Sequence, residues 1–251
     1  LSSCSQEPKV YEGPFLLKEG VKYDQRTDQT LTGVVMDFYE NGQLLFKENY
    51  VDGLLDGSYE EYFDNGQIEK RTNYKDGKEE GPFESYFRNG QTDIKSNYKN
   101  GRLNGSFESY TSSSQLVKKS NYKNGELEGP FEMYHENGSL LLKTSYKNDK
   151  LDGLYESFNY RGQILYSQKF TPENQDKTSG TFYTYYDSGK LKIKKNLIKD
   201  IEEGPFESFY ENGQMMVKMN YKEGLINGTY ERYFDDGELN IRRDYKDGQY
   251  S

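Results

Sequence analysis

Residues 81–90 read GPFESYFRNG, and nearly the same decapeptide returns as GPFEMYHENG at 129–138 and as GPFESFYENG at 204–213. Working outward from these copies exposes a period. With the first glycine of each copy as position 0, equivalent glycines stand at Gly33, Gly57, Gly81, Gly105, Gly129, Gly153, Gly180, Gly204 and Gly228. The spacing is 24 residues except for one step of 27, whose three extra residues fall near TPENQDKTS at 171–179. Self-similarity at such an interval is the signature of a repeat architecture, in which each unit buries its apolar face against its neighbours. Nine units fill 33–251, a divergent capping unit is expected over 13–32, and residues 1–12 read as a tether.

The unit is consistent position by position. Position +2 is aromatic in eight of the nine copies, with Val35 the exception, and position +5 is always Tyr or Phe. Position +9 is Gly except at Ser114, and position +17 is Tyr in seven copies. Asn-Gly between alternating aromatics is a strong hairpin signal, because a type I′ turn needs positive φ at both central residues. A two-residue type I′ turn is therefore expected at Asn41-Gly42, Asn65-Gly66, Asn89-Gly90, Asn137-Gly138, Asn212-Gly213 and Asp236-Gly237. Each unit becomes two strands of about eight residues, and facing positions sum to 17, so that +6 faces +11 and +3 faces +14.

That register has an internal check. Position +3 is usually Glu and +14 is usually Lys or Arg. The register sets Glu60 opposite Arg71, Glu84 opposite Lys95, Glu108 opposite Lys119, Glu132 opposite Lys143, Glu207 opposite Lys218 and Glu231 opposite Arg242. Opposite charges facing each other are what cross-strand pairing favours. Alternation then puts +2, +6, +11, +13 and +17 on a core face, and +3, +5 and +14 on a solvated face with a row of rings. The predicted fold is all-β: an elongated, single-domain array of antiparallel β-hairpins whose roughly 18 strands would extend about 85 Å at ~4.8 Å each.

Composition agrees. Leu, Ile, Val and Phe make up only about a fifth of the 251 residues, near the edge expected for disorder, yet 25 Tyr and 14 Phe supply apolar surface at regular positions. The net charge of −9 argues against binding nucleic acid or anionic lipid through bulk charge. No apolar run is long enough to cross a membrane as a helix. The one cysteine, Cys4, follows Leu1-Ser2-Ser3. LSSC resembles a bacterial lipobox, which makes Cys4 a candidate lipid attachment site and the bacterial cell envelope (outer membrane or cell surface) the expected location; an incidental Cys in a terminal tail is the plainer reading.

The consensus G-x-[FY]-E-x-[YF]-x-x-N-G, continued by N-Y-K-x-G, is shown almost whole by GSYEEYFDNGQIEKRTNYKDGKEEG at 57–81. It resembles the MORN repeat in its bacterial YwqK-type variant. The resemblance implies an antiparallel array of hairpins. It brings an antitoxin label from the bacterial members, and membrane-lipid, scaffolding and dimerisation roles from eukaryotic ones. It assigns no functional residue here.

Catalytic constellations are scarce. One His, His135, and one Cys make neither a triad nor a zinc-type ligand set. His135 fills a +6 slot that holds Phe63 and Phe87 elsewhere. The carboxylates recur at one repeat position beside their own cations, which reads as a charged face rather than glycosidase chemistry. No cofactor and no enzymatic activity are expected. The candidate binding face is the +5 row of Tyr62, Tyr86, Tyr110, Tyr134, Tyr185 and Tyr233. It suits an unknown protein partner or stacking on sugar rings; the plainer alternative is that Tyr simply covers a half-wet sheet. Membrane association is expected only through the N-terminal lipid.

Overall fold

A computed structural model describes residues 9–11, 13–176 and 178–250. Cys4 lies outside the described residues. The protein is all-β: antiparallel hairpins follow one another along the chain, and no helix occurs among the described residues. The chain divides into two compact units, Leu1–Glu128 and Gly129–Ser251.

The first unit shows the repeat at its most regular. Strand Gly81–Tyr86 pairs with Thr92–Lys99 so that Gly81 faces Tyr98, Phe83 faces Ser96 and Glu84 faces Lys95. Strand Arg102–Tyr110 then pairs back on Thr92–Lys99, setting Lys95 opposite Glu108 and Ser96 opposite Phe107. All six Glu–cation pairs expected from the spacing are directly opposed in register.

The turns differ from the expectation. Phe87 N–H donates to the Gln91 carbonyl at 2.7 Å and Gly90 N–H donates to the Phe87 carbonyl at 2.8 Å. The loop is thus three residues, Arg88-Asn89-Gly90, with Gly90 alone in the left-handed region at φ 81°. This is a type I turn closed by a left-handed glycine. It moves Tyr86 opposite Thr92, with a bulge between Ser85 and Tyr86, so +5 rather than +6 faces +11. Asn89 gains by the right-handed conformation. Its Oδ1 accepts from Gln91 N–H at 3.0 Å, and its Nδ2 donates to the Ser112 carbonyl of the next repeat at 2.8 Å. The type I′ turns lie instead between repeats. Asn100 and Gly101 have φ of 50° and 74°, and Asp76 and Gly77 have 49° and 76°.

Packing sets the residue size at +15, a position the sequence reading did not single out. Ser96 stands between Phe83 and Phe107, and Ser120 faces Phe107 across the next hairpin. A small side chain there lets the rings close over it; Thr72, Ser96, Ser120 and Thr144 are all buried. In the first unit the +2 rings meet their own +17 rings, with Phe83 and Tyr98 centroids 5.6 Å apart and Phe107 and Tyr122 5.8 Å apart, at the edge-on angles that aromatic pairs favour.

At the start of the first unit, Phe15–Lys18, Val21–Asp24 and Gln29–Thr30 form a separate three-stranded sheet. Leu31, Val35 and Tyr50 make a buried cluster there, with Tyr11, Phe15, Phe46 and Leu55 against it. Val35, where other repeats carry a ring, is fully buried because these N-terminal residues supply the apolar cover.

The second unit contains the 27-residue step. Strand Ile164–Phe170 pairs with Gly180–Tyr185 through Tyr166↔Phe182 and Ser167↔Thr181. Elsewhere +14 faces +3, as Lys194 faces Glu207; here +14 faces +1. The register has slipped by two residues, and the remaining residue lengthens the connection. Because side chains alternate, a slip of two keeps each face intact. Tyr166 still meets Phe182, at 4.8 Å between centroids. Within 171–179 the Gln175 side chain takes over a backbone role. Its Oε1 accepts from Leu151 N–H at 3.0 Å and its Nε2 donates to the Leu151 carbonyl at 2.8 Å.

Candidate functional site

The solvated face is built from +3, +5 and +14. Alternation puts Glu84 and Tyr86 on one side of their strand, and the Tyr86 hydroxyl donates to Glu84 Oε2 at 2.8 Å. The same bond recurs from Tyr62 to Glu60 at 2.8 Å, Tyr110 to Glu108 at 2.6 Å, Tyr134 to Glu132 at 2.6 Å and Tyr233 to Glu231 at 2.8 Å. Tyr185 departs from the pattern: its +3 neighbour is Tyr183, and its hydroxyl donates to the Ile164 carbonyl at 2.8 Å. All six rings are half-buried.

In the regular repeats a +14 cation stands between two glutamates, one from its own repeat and one from the next, as Lys95 does between Glu84 and Glu108. Arg71 faces both Glu60 and Glu84, and its Nε donates to Glu84 Oε2 at 2.5 Å. Its guanidinium also lies 5.7 Å from the centre of the Tyr86 ring. Lys143 reaches Glu156 at 2.8 Å and Lys194 reaches Glu207 at 3.6 Å. Alternating charges therefore run across the repeats of each unit, and the ring row borders them.

The electrostatics fix the protonation states. Burial, reinforced by the adjacent glutamate, pushes the phenols of Tyr62 and Tyr110 up to about 12. Glu108 is held below the usual carboxylate range by the Tyr110 hydroxyl and by Lys119. Burial tends to raise Glu84, but the hydrogen bonds from Tyr86 and Arg71 outweigh it and the net direction is down. At Tyr86–Glu84 and Tyr110–Glu108 the contact around neutral pH is therefore a neutral O–H donor on an ionised acceptor, the stronger class of hydrogen bond.

The turn rim is a second repeated feature, invisible in the spacing alone. Asn41, Asn65 and Asn89 each donate to a carbonyl in the next repeat, as do Asn137 and Asn212 in the second unit. Position +6 acts similarly: the hydroxyls of Tyr39, Tyr186 and Tyr210 donate to the carbonyls of Tyr62, Phe209 and Tyr233. His135 occupies this slot, with Nε2 at 2.9 Å from the Phe158 carbonyl and its ring 4.1 Å from that of Tyr160. Its place is that of a rim contact. Among the described residues no group of three or more His, Cys, Asp or Glu is arranged to hold a metal ion, and no helix is long and apolar enough to cross a membrane.

The family model described as the MORN repeat variant matches this chain eight times, at 31–52, 55–76, 79–100, 103–124, 127–148, 179–199, 202–223 and 226–247. The protein belongs to the MORN repeat variant family. The eight MORN matches omit 149–178, which contains the repeat before the register slip. No curated protein is similar to this MORN chain at a significant level. Among solved structures, a Photorhabdus luminescens Tc holotoxin pore with the TccC3-D651A mutation aligns with 91% of the chain at 11% identity and a TM-score of 0.21. The TcdB2-TccC3-Cdc42 structure aligns with 90% at 12% identity and a TM-score of 0.22. The MORN chain spans 14% of the length of each of those chains.

Proposed function

We propose that this protein is a non-enzymatic scaffold that binds another protein along the face carrying the Tyr–Glu contacts. The observation that carries the reading is a single prearranged contact repeated in five units: a half-buried ring held by its own hydroxyl to the glutamate two residues before it. Tyr offers large amphipathic contact area at low entropic cost and is enriched at protein interfaces. Rings fixed beforehand lower the ordering cost of association. The alternating charges beside them supply a pattern that sets a partner's register. Membership of the MORN repeat variant family supports a binding scaffold in general, and the bacterial YwqK-type subfamily is the narrower placement we favour. A lipid on Cys4 would tether the scaffold at a bacterial membrane surface, outside the cytosol where an antitoxin acts.

The test is quantitative binding to a partner identified by cross-linking and then purified. Changing Tyr62, Tyr86 and Tyr110 together to Ser is expected to weaken its Kd by at least about tenfold while the chain still unfolds cooperatively. A partner held as tightly by the triple variant sinks the reading. Mass spectrometry of the mature N-terminus separately checks the tether, and an unmodified Cys4 removes it.

A further inference from the structure

A cleft of about 610 Å³ opens beside the register slip in the second unit, lined among others by Tyr160, Arg161, Leu165, Tyr183, Tyr185 and Asp187. Its volume falls within the range of small-molecule sites. The residues differ from those at equivalent places in regular repeats. Position +3 is Tyr183 rather than Glu, and the preceding +14 is Ser167 rather than a cation. The charged stripe is interrupted, and rings take its place.

Those rings are held before any ligand arrives. Tyr160 is 64% exposed yet rests on His135, with centroids 4.1 Å apart. Tyr185 is fixed by its bond to the Ile164 carbonyl. Leu165 adds an apolar floor and is 39% exposed. Arg161 donates to the Asp187 carbonyl at 2.5 Å, which pins the guanidinium at the rim. Among the described residues, the hydroxyls of Tyr160 and Tyr183 and the carboxylate of Asp187 have no hydrogen-bond partner.

A cationic ligand would meet Arg161 there, and an anionic one would meet Asp187 in a chain of net charge −9. A neutral polyol meets neither obstacle. A pyranose ring has an apolar C–H face that packs on aromatic rings, and an edge of hydroxyls that pairs with a carboxylate and with phenols. We propose that this cleft binds a short neutral oligosaccharide: the rings of Tyr160, Tyr183 and Tyr185 take the C–H faces, and Asp187, Arg161 and the free phenols take the hydroxyls. The site is separate from the Tyr–Glu contacts of the regular repeats and does not depend on a protein partner.

The test is an NMR titration of the isotope-labelled full chain with N-acetylated chitotriose, cellotriose and maltotriose, all neutral, with choline chloride and an acidic hexapeptide as comparators. At least one trisaccharide is expected to give saturable shifts confined to residues around 159–187, with a Kd of millimolar order or tighter. Tyr183→Ser and Tyr160→Ala should each weaken it by about tenfold or more, and Lys99→Gln should leave it unchanged. If Tyr183→Ser loses the folded spectrum, Tyr160→Ala and Leu165→Ser, at solvent-exposed positions, decide the matter. Absence of saturable shifts with all three sugars overturns the proposal. So does undiminished binding in the Tyr160 and Leu165 variants, or a response in the cleft to choline or the peptide alone.

Discussion

The hairpins of residues 57–123 and the stretch from 153 to 198 have the same building plan and solve the same packing problem differently. In the first, Arg71 and Lys95 each face a +3 glutamate on both sides, every +2 ring finds its +17 ring, and the connections between repeats are two-residue turns. In the second, a nine-residue connection replaces one such turn, the pairing slips by two, and Ser167 and Tyr183 stand where charges would be. The contrast separates what the array requires from what it merely repeats. Ring burial on the core face survives in both. The charged stripe does not, so it is the more dispensable of the two.

That ranking can be attacked first at Phe170, the +17 residue before the irregular connection. It is 1% exposed, whereas its regular counterpart Tyr98 is half-buried. Phe170→Ala is expected to cost about 3–5 kcal/mol, and Tyr98→Ala less, from urea unfolding midpoints. Equal losses would show that the irregular step carries no extra burden. Next comes Gln175→Ala. It strips two partners from the main chain of Leu151, which is 3% exposed, and the cost of orphaned buried groups is about 1–3 kcal/mol. Faster hydrogen exchange at the Leu151 amide should accompany it; unchanged exchange would show the side chain is not standing in for a strand.

A smaller effect of opposite sign is expected at Ser114, which holds the left-handed turn position at φ 65° where other repeats have Gly. Relief of backbone strain, less the lost hydroxyl contact with Gln91 and the greater freedom of Gly when unfolded, leaves a gain of about 0.5–1 kcal/mol for Ser114→Gly. A destabilised variant would mean the hydroxyl matters more than the backbone. The smallest effect is the Arg71–Glu84 coupling. Arg71 is half exposed, so a double-mutant cycle should return about 0.2–1 kcal/mol. Raising the salt should reduce it. A coupling several times larger would reverse the ranking of stripe and core.

Much of this was legible in the residues. The glycine period, the two faces and the Glu–cation register follow from alternation and charge, and the Glu84↔Lys95 pairing is as the spacing predicts. The turn assignment was not legible. Asn-Gly serves both a type I′ turn and a type I turn ended by glycine, and what decides is the reach of the Asn89 amide to the Ser112 carbonyl, 23 residues away in sequence. The +15 positions also escaped notice, because a serine between two rings announces itself only when the neighbouring hairpin is in place. The cleft was out of reach for a similar reason. Tyr160 and Tyr183 sit at unrelated repeat positions, and both come to line it beside the slipped pairing.

The slip also imposes a rule of parity on how such a chain can change length. Three added residues were divided into an even part, absorbed by sliding one strand along its neighbour, and an odd remainder, taken up as slack in the connection. Had the strand slid by an odd number, every ring beyond that point would have exchanged sides with every charge. Insertions between repeats are therefore filtered by arithmetic before they are filtered by chemistry, and a connection able to hold a single spare residue is what lets an odd insertion pass.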